Sequence, residues 1–263
     1  MNNQRIAVIF GLPKFYSMKK IITSLLFTAA AFSLSAQKDS SNNLGGMFKK
    51  ASSLFSKKSG NSSLSNDQII AGLKEALSIG AQKSGEKLSA TDGFYKDAVV
   101  KILLPEQVRN VENKMRMLGF GKQIDNAELS LNRAAEDASK QAAPIFLDAI
   151  KKMTVTDALN ILRGSDTAAT AYLRKTTTPD LTTAFRPIIE KSLEKTNANK
   201  YWKDVFGTYN KFSRNPVDTD INSYVTGKAL NGLFYYVAQE EVGIRKNPAQ
   251  RVTDILKTVF GSK

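Results

Sequence analysis

The chain has 263 residues, 42% of them hydrophobic, with 38 Lys and Arg against 24 Asp and Glu for a formal charge of +14, and it contains neither histidine nor cysteine. Those absences exclude a disulfide framework, the usual zinc ligands, haem ligation through His, and Ser-His or Cys-His nucleophiles, and most hydrolase chemistry goes with them. The cationic surplus favours anionic partners, and the about 200 residues beyond the N-terminal segments suffice for one domain with a substantial core.

Residues 18–36, MKKIITSLLFTAAAFSLSA, read as a secretory signal peptide. Lys19 and Lys20 form a positive n-region, residues 21–32 are uncharged and mostly apolar, and Ser33, Ser35 and Ala36 are the small residues a signal peptidase accepts. The apolar run is shorter than the about 20 residues a spanning helix needs, so no transmembrane span is expected in the mature protein. Cleavage is expected after Ala36, or one residue earlier because Leu34 is not small, and a chain without cysteine has no site for a lipid anchor. Residues 1–17 read as a misassigned start ahead of Met18, with an extended n-region as the alternative. Processing removes four cations and no acid, so the charge falls from +14 to +10. The expected location is therefore periplasmic or extracellular, with phospholipid, lipopolysaccharide or acidic wall polymer as anionic partners. No nucleic-acid partner is expected, because the Lys and Arg residues lack regular aromatic interleaving.

Residues 37–65 read as a Ser-, Asn- and Lys-rich flexible linker. Inside it, MFKKASSLFSKK places Met47, Phe48, Ala51, Leu54 and Phe55 within about a third of a helical circumference, with Lys49, Lys50, Lys57 and Lys58 available for an anionic membrane surface. A disordered tether carrying two phenylalanines is the competing reading.

From residue 66 to 263 the pattern predicts a single all-α domain of about eight to ten helices. Ser65 and Gln68 have capping-box spacing ahead of Ile69, Ile70, Leu73 and Leu77. A possible extended piece lies near 102–104. LPEQVRNVENKMRMLG then has Pro105 in a first turn, Val108, Val111, Met115 and Leu118 along one face, and Gly119 at a left-handed cap. Ile124, Ala127, Leu131, Ala134, Ala135, Ala138 and Ala142 form a narrow stripe suited to close helix packing. Thr156 is the expected N-cap and Gly164 the C-cap of TDALNILRG, and a helix restarts from Ser165. Pro179 and Pro187 predict a kinked helix or two short ones. Residues 222–245 are apolar nearly all round, which predicts a central helix, and Asn247, Pro248 and Gly261 frame a last one.

Ser-x-x-Lys occurs at Ser17, Ser35, Ser84 and Ser192 without companion motifs, and GFGKQI from Gly119 fails the dinucleotide fingerprint, so neither is carried forward. No cofactor or metal is expected. Carboxylates remain as candidate chemistry: Glu128, Glu136, Asp157, Glu240 and Glu241 lie on or beside apolar faces, and a pair of them could do acid and base work on a glycan. Helical ion pairs from Glu136 to Lys140, from Glu241 to Arg245 and between Arg251 and Asp254 explain such groups as well. Asn132, Arg133 and Tyr172 complete the candidate polar cleft.

The segments NRAAEDA (132–138), PIFLDAIKKMTVTDALNILRG (144–164), DTAATAYLR (166–174) and NPAQRVTDILKTVFG (247–261) together resemble the bacterial family called domain of unknown function 4197. The resemblance covers 66–263 and implies an exported, predominantly helical envelope protein, and it assigns no catalytic or binding residue. The function expected on all these grounds is a non-enzymatic module that binds an anionic lipid, a wall polymer or another envelope protein. The alternative is a carboxylate-dependent hydrolase or lyase acting on an envelope glycan.

Overall fold

The computed structural model describes residues 65–106, 112–114, 116–211, 214, 216, 219–247, 254 and 257, all within one compact unit, Asn42–Lys263. The expected signal, the linker with its Phe-Lys segment and most of the expected last helix lie outside the described residues. Among the described residues there are seven α-helices and no strand, so the fold is all-α, with slightly fewer helices than the pattern predicts. No helix there is long and apolar enough to cross a membrane.

Helix α1 (Asn66–Ser89) starts where the capping box places it: Ser65 Oγ accepts from Gln68 N at 3.3 Å and Gln68 Oε1 accepts from Ser65 N at 2.9 Å. Its small residues set how closely neighbours approach. A Cβ at Gly80 would sit 3.2 Å from Glu240 Cβ, and one at Gly85 would touch Ala143.

Residues 90–105 form a strap, of turns as far as Val100 and then of irregular chain, without helix or strand pairing. A π-helical turn (Arg116–Phe120) then contains Gly119 at φ +90°, the left-handed conformation expected of it. Helix α2 (Gly121–Ser139) buries Leu131, Ala134, Ala135 and Ala138 as the stripe predicts, whereas Ala127 is exposed. Helix α3 (Ala142–Lys152) runs antiparallel to α1, and Lys74 of α1 donates to Lys151 O and Met153 O, placing a cation on the carbonyl end of α3.

Helix α4 (Val155–Arg163) ends at Gly164 as expected, but its N-cap is Thr154, two residues before the predicted Thr156. The difference lies three positions on. Thr154 has Asp157 there to close a capping box, while Thr156 has Leu159.

Helix α5 (Ala168–Glu194) runs through both Pro179 and Pro187 as one element, which accounts for part of the shortfall in helix number. Both prolines sit on the exposed side, while Leu173, Leu181, Phe185, Ile189 and Leu193 are wholly buried on the other. Five such side chains at about 2 kcal/mol each outweigh two interior prolines at about 3 kcal/mol each. Helix α6 (Ala198–Asn210) contributes Trp202 and Phe206, stacked edge-on at 4.3 Å.

Helix α7 (Ile221–Lys246) is central, as its all-round apolarity predicts. It packs against α1, α2, α5 and α6 and buries Val225, Ala229, Leu233, Phe234 and Val237. Phe234 meets Phe146 of α3 edge-to-face at 5.7 Å. The strap crosses α7 at Gly232, where a Cβ would come within 2.8 Å of Phe94 Cε1 and 3.2 Å of Val100 Cβ. Only a glycine lets the strap lie this close.

Candidate functional site

The eight polar cleft candidates fall into separate groups. Glu136, Arg133 and Asn132, all on α2, face the strap. Glu136 Oε1 accepts from Phe94 N and Tyr95 N at 3.1 and 3.2 Å, while its Oε2 takes Arg133 Nη1 at 2.6 Å. Arg133 Nη2 reaches Asp92 Oδ1 at 2.6 Å, and Lys96 holds the other Asp92 oxygen at 2.8 Å. Hydrogen bonds from Lys96 and then Arg133 hold the Asp92 carboxyl below its usual range, and Glu136 raises the Arg133 guanidinium. The expected Glu136–Lys140 pair does not form. Glu136 turns inward to the strap, and Lys140, at the exposed helix end, pairs with Asp137 at 2.9 Å instead.

Asn132 is wholly buried and serves the strap too. Its carboxamide accepts from Ile102 N at 2.8 Å, donates to Ile102 O at 2.8 Å, and donates to Glu128 O at 2.7 Å.

Glu241 and Arg245 form the expected ion pair, at 2.9 Å, but the pair does more than bridge one helical turn. Glu241 Oε1 accepts from Ala169 N, and Oε2 accepts from Thr170 N and Thr170 Oγ1, all within 3.0 Å, so an acid of α7 caps the N-terminus of α5. Arg245 Nη2 also donates to Ile161 O at 2.9 Å, at the end of α4. Glu240, beside it, lies 3.5 Å from Lys83 of α1.

Asp157 belongs to the α4 cap, where bonds from Thr154 keep its carboxyl below the usual range. Tyr172 is half-buried against the core, and burial, then the Asp157 charge, pushes its hydroxyl up. A cavity of about 20 Å³, room for about one water, lies between α1, α5 and α7 against Leu73, Leu77, Ala169, Val237 and Glu241. Among the described residues no group of three or more acids could hold a metal ion. Asp254 pairs with Lys257 at 3.3 Å, whereas Arg251 lies outside the described residues, as do Phe48, Lys49, Lys50, Phe55, Lys57 and Lys58.

Sequence reasoning missed the outer surface of the strap. From 99 to 103 it alternates: Val99 is 61% exposed and Leu103 46%, with Lys101 outward between them, while Val100 and Ile102 are buried. Cations lie over aromatic rings along its length. Lys87 Nζ sits 3.9 Å from the Tyr236 ring centroid and 3.6 Å from Asp97 Oδ2, which the Tyr236 hydroxyl also binds. Lys101 Nζ is 4.6 Å from the Tyr95 ring and 3.5 Å from Glu128 Oε2. At the far end Tyr224 donates to Leu103 O at 2.7 Å beneath Lys228, and burial, then the Glu106 and Glu128 charges, pushes its hydroxyl up to about 12. The run AVVKILL between Asp97 and Pro105 is apolar but for Lys101, so no period in it separates the outward side chains from the buried ones.

Residues 63–261 match the family model described as Protein of unknown function (DUF4197), and the chain belongs to that family. No curated protein and no solved structure matches.

Proposed function

We propose that this member of the DUF4197 family is exported through the 18–36 signal and acts in the cell envelope as a non-enzymatic binding module for an anionic component, lipid head group or wall polymer. The observation that carries the reading is the strap row of Val99, Lys101 and Leu103, flanked by Lys87, Lys96 and Lys228. Apolar side chains held out of the core beside several ammonium groups suit a surface of phosphates or carboxylates. The Phe-Lys segment of 47–58 would add a second contact of the same character. The buried acids of the candidate cleft are engaged as cap and tether, a use that favours binding over glycan hydrolysis.

The test is binding of the processed chain to phosphatidylglycerol vesicles and to isolated wall polymer, with and without residues 37–65. Val99→Glu combined with Lys228→Glu is expected to weaken binding about tenfold without lowering the melting temperature, since both side chains are exposed. Failure to bind either anionic surface would overturn the reading. Recovery of uncleaved chain from the cytosol would overturn its placement.

A further inference from the structure

The most exposed large apolar side chain among the described residues, Met117, does not lie on the strap. Met117 is 87% exposed and Leu118 59%, at the corner where residues 112–114 and the π-helical turn reverse into α2. The sequence pattern places Leu118 along one helical face with Val108, Val111 and Met115, and the corner holds it in solvent. It is a braced corner. Arg116 Nε binds Glu112 Oε1 at 2.9 Å on one arm, and its Nη1 binds Asp125 Oδ1 at 2.7 Å on the other. Gly119 at φ +90° makes the reversal, so Met117 and Leu118 are presented by a fixed turn.

The charges around the tip select its partner. Arg116 neutralises the two nearby acids, which leaves Lys114 and Lys122 exposed on either side of the apolar pair, with no ion pair among the described residues. An apolar point between two ammonium groups matches the layering of an anionic bilayer, with acyl chains beneath a plane of phosphates. We propose that this corner is a membrane-insertion element: Met117 and Leu118 enter the interfacial region of an anionic bilayer while Lys114 and Lys122 bind lipid phosphates. The inference rests on the reading that the protein binds an anionic envelope surface, and it names lipid as that surface.

The full processed chain is tested on vesicles of phosphatidylethanolamine and phosphatidylglycerol. Because the chain has no cysteine, Met117→Cys gives a single site for an environment-sensitive dye, and Glu190→Cys on the exposed side of α5 is the control. The dye at 117 is expected to shift to the blue on vesicle binding, with no shift at 190. Met117→Ser with Leu118→Ser is expected to lose about tenfold in vesicle affinity at an unchanged melting temperature. Vesicle binding with the dye at 117 still in water and the double variant unimpaired would overturn the corner and leave the strap reading intact. Binding to wall polymer alone would do the same, whereas no binding to either would overturn both. A shift at 117 that grows with protein concentration without vesicles would identify a second copy as the occupant and also overturn the proposal.

Discussion

At the scale of single residues, the polar groups that look most like chemistry are tethers. Glu241 satisfies two N–H groups and a hydroxyl at the start of α5 and neutralises the nearly buried Arg245. Glu241→Gln is expected to destabilise the fold by about 2–4 kcal/mol in urea denaturation, because the start of α5 loses its anionic cap and the guanidinium loses the carboxylate it meets at 2.9 Å. An unchanged midpoint would remove the structural role and reopen the catalytic one. Asn132→Ala strands the N–H and C=O of Ile102 in the core and should cost about 2–3 kcal/mol. Loss of less than a few tenths would mean that water replaces the amide. The Glu241–Arg245 pair was legible from spacing, since four residues along a helix fix the neighbour. The bonds to Ala169, to Phe94 and to Ile102 were not, because a single sequence gives no register between segments distant along the chain.

At the scale of elements, capping chemistry was the most readable signal. Ser65 with Gln68, Gly119 and Gly164 stand where the residue types put them, and Thr154 replaces Thr156 as a cap because it has an acid three residues on, whereas α5 starts after Thr167 and not from the expected Ser165, with no side-chain cap to mark the position. Helix α5 was misjudged for an opposite reason. Proline acts locally and is visible in sequence, while the burial that overrides it depends on α2 and α7 packing against one face. Pro179→Ala restores an N–H on the exposed side and should therefore raise stability by about 1–3 kcal/mol, read as a higher melting temperature. A fall would show that the proline bend is needed for packing. The possible extended piece near 102–104 falls within the strap, but which of its side chains face outward was not legible, because 98–104 is apolar throughout but for Lys101.

At the scale of the whole molecule, charge and stability follow from composition and from where the acids sit. Burial alone would push up the carboxyls of Asp97 and Asp220, but bonds from Tyr236 and the Val99 and Val100 amides in one, and from Ser223 and Arg186 in the other, hold both below the usual range. A depressed folded value contributes stability above the unfolded value and loses it as pH falls through the folded one. With no histidine or cysteine to titrate, the melting temperature should be flat from about pH 5 to 8 and drop only below about pH 4. A transition near pH 6 would contradict this. On the alkaline side Tyr224, raised to about 12 by burial, should be among the last tyrosines to ionise in an ultraviolet titration, its contribution to stability fading between about pH 10 and 12. The carboxamide of Asn132 has a wider consequence. Extended backbone ordinarily displays a ladder of donors and acceptors that a foreign chain can join. Here the N–H and C=O of Ile102 are both held from within by one side chain, so the strap shows Val99 and Leu103 to solvent without an open pair of backbone groups between them for a foreign chain to join.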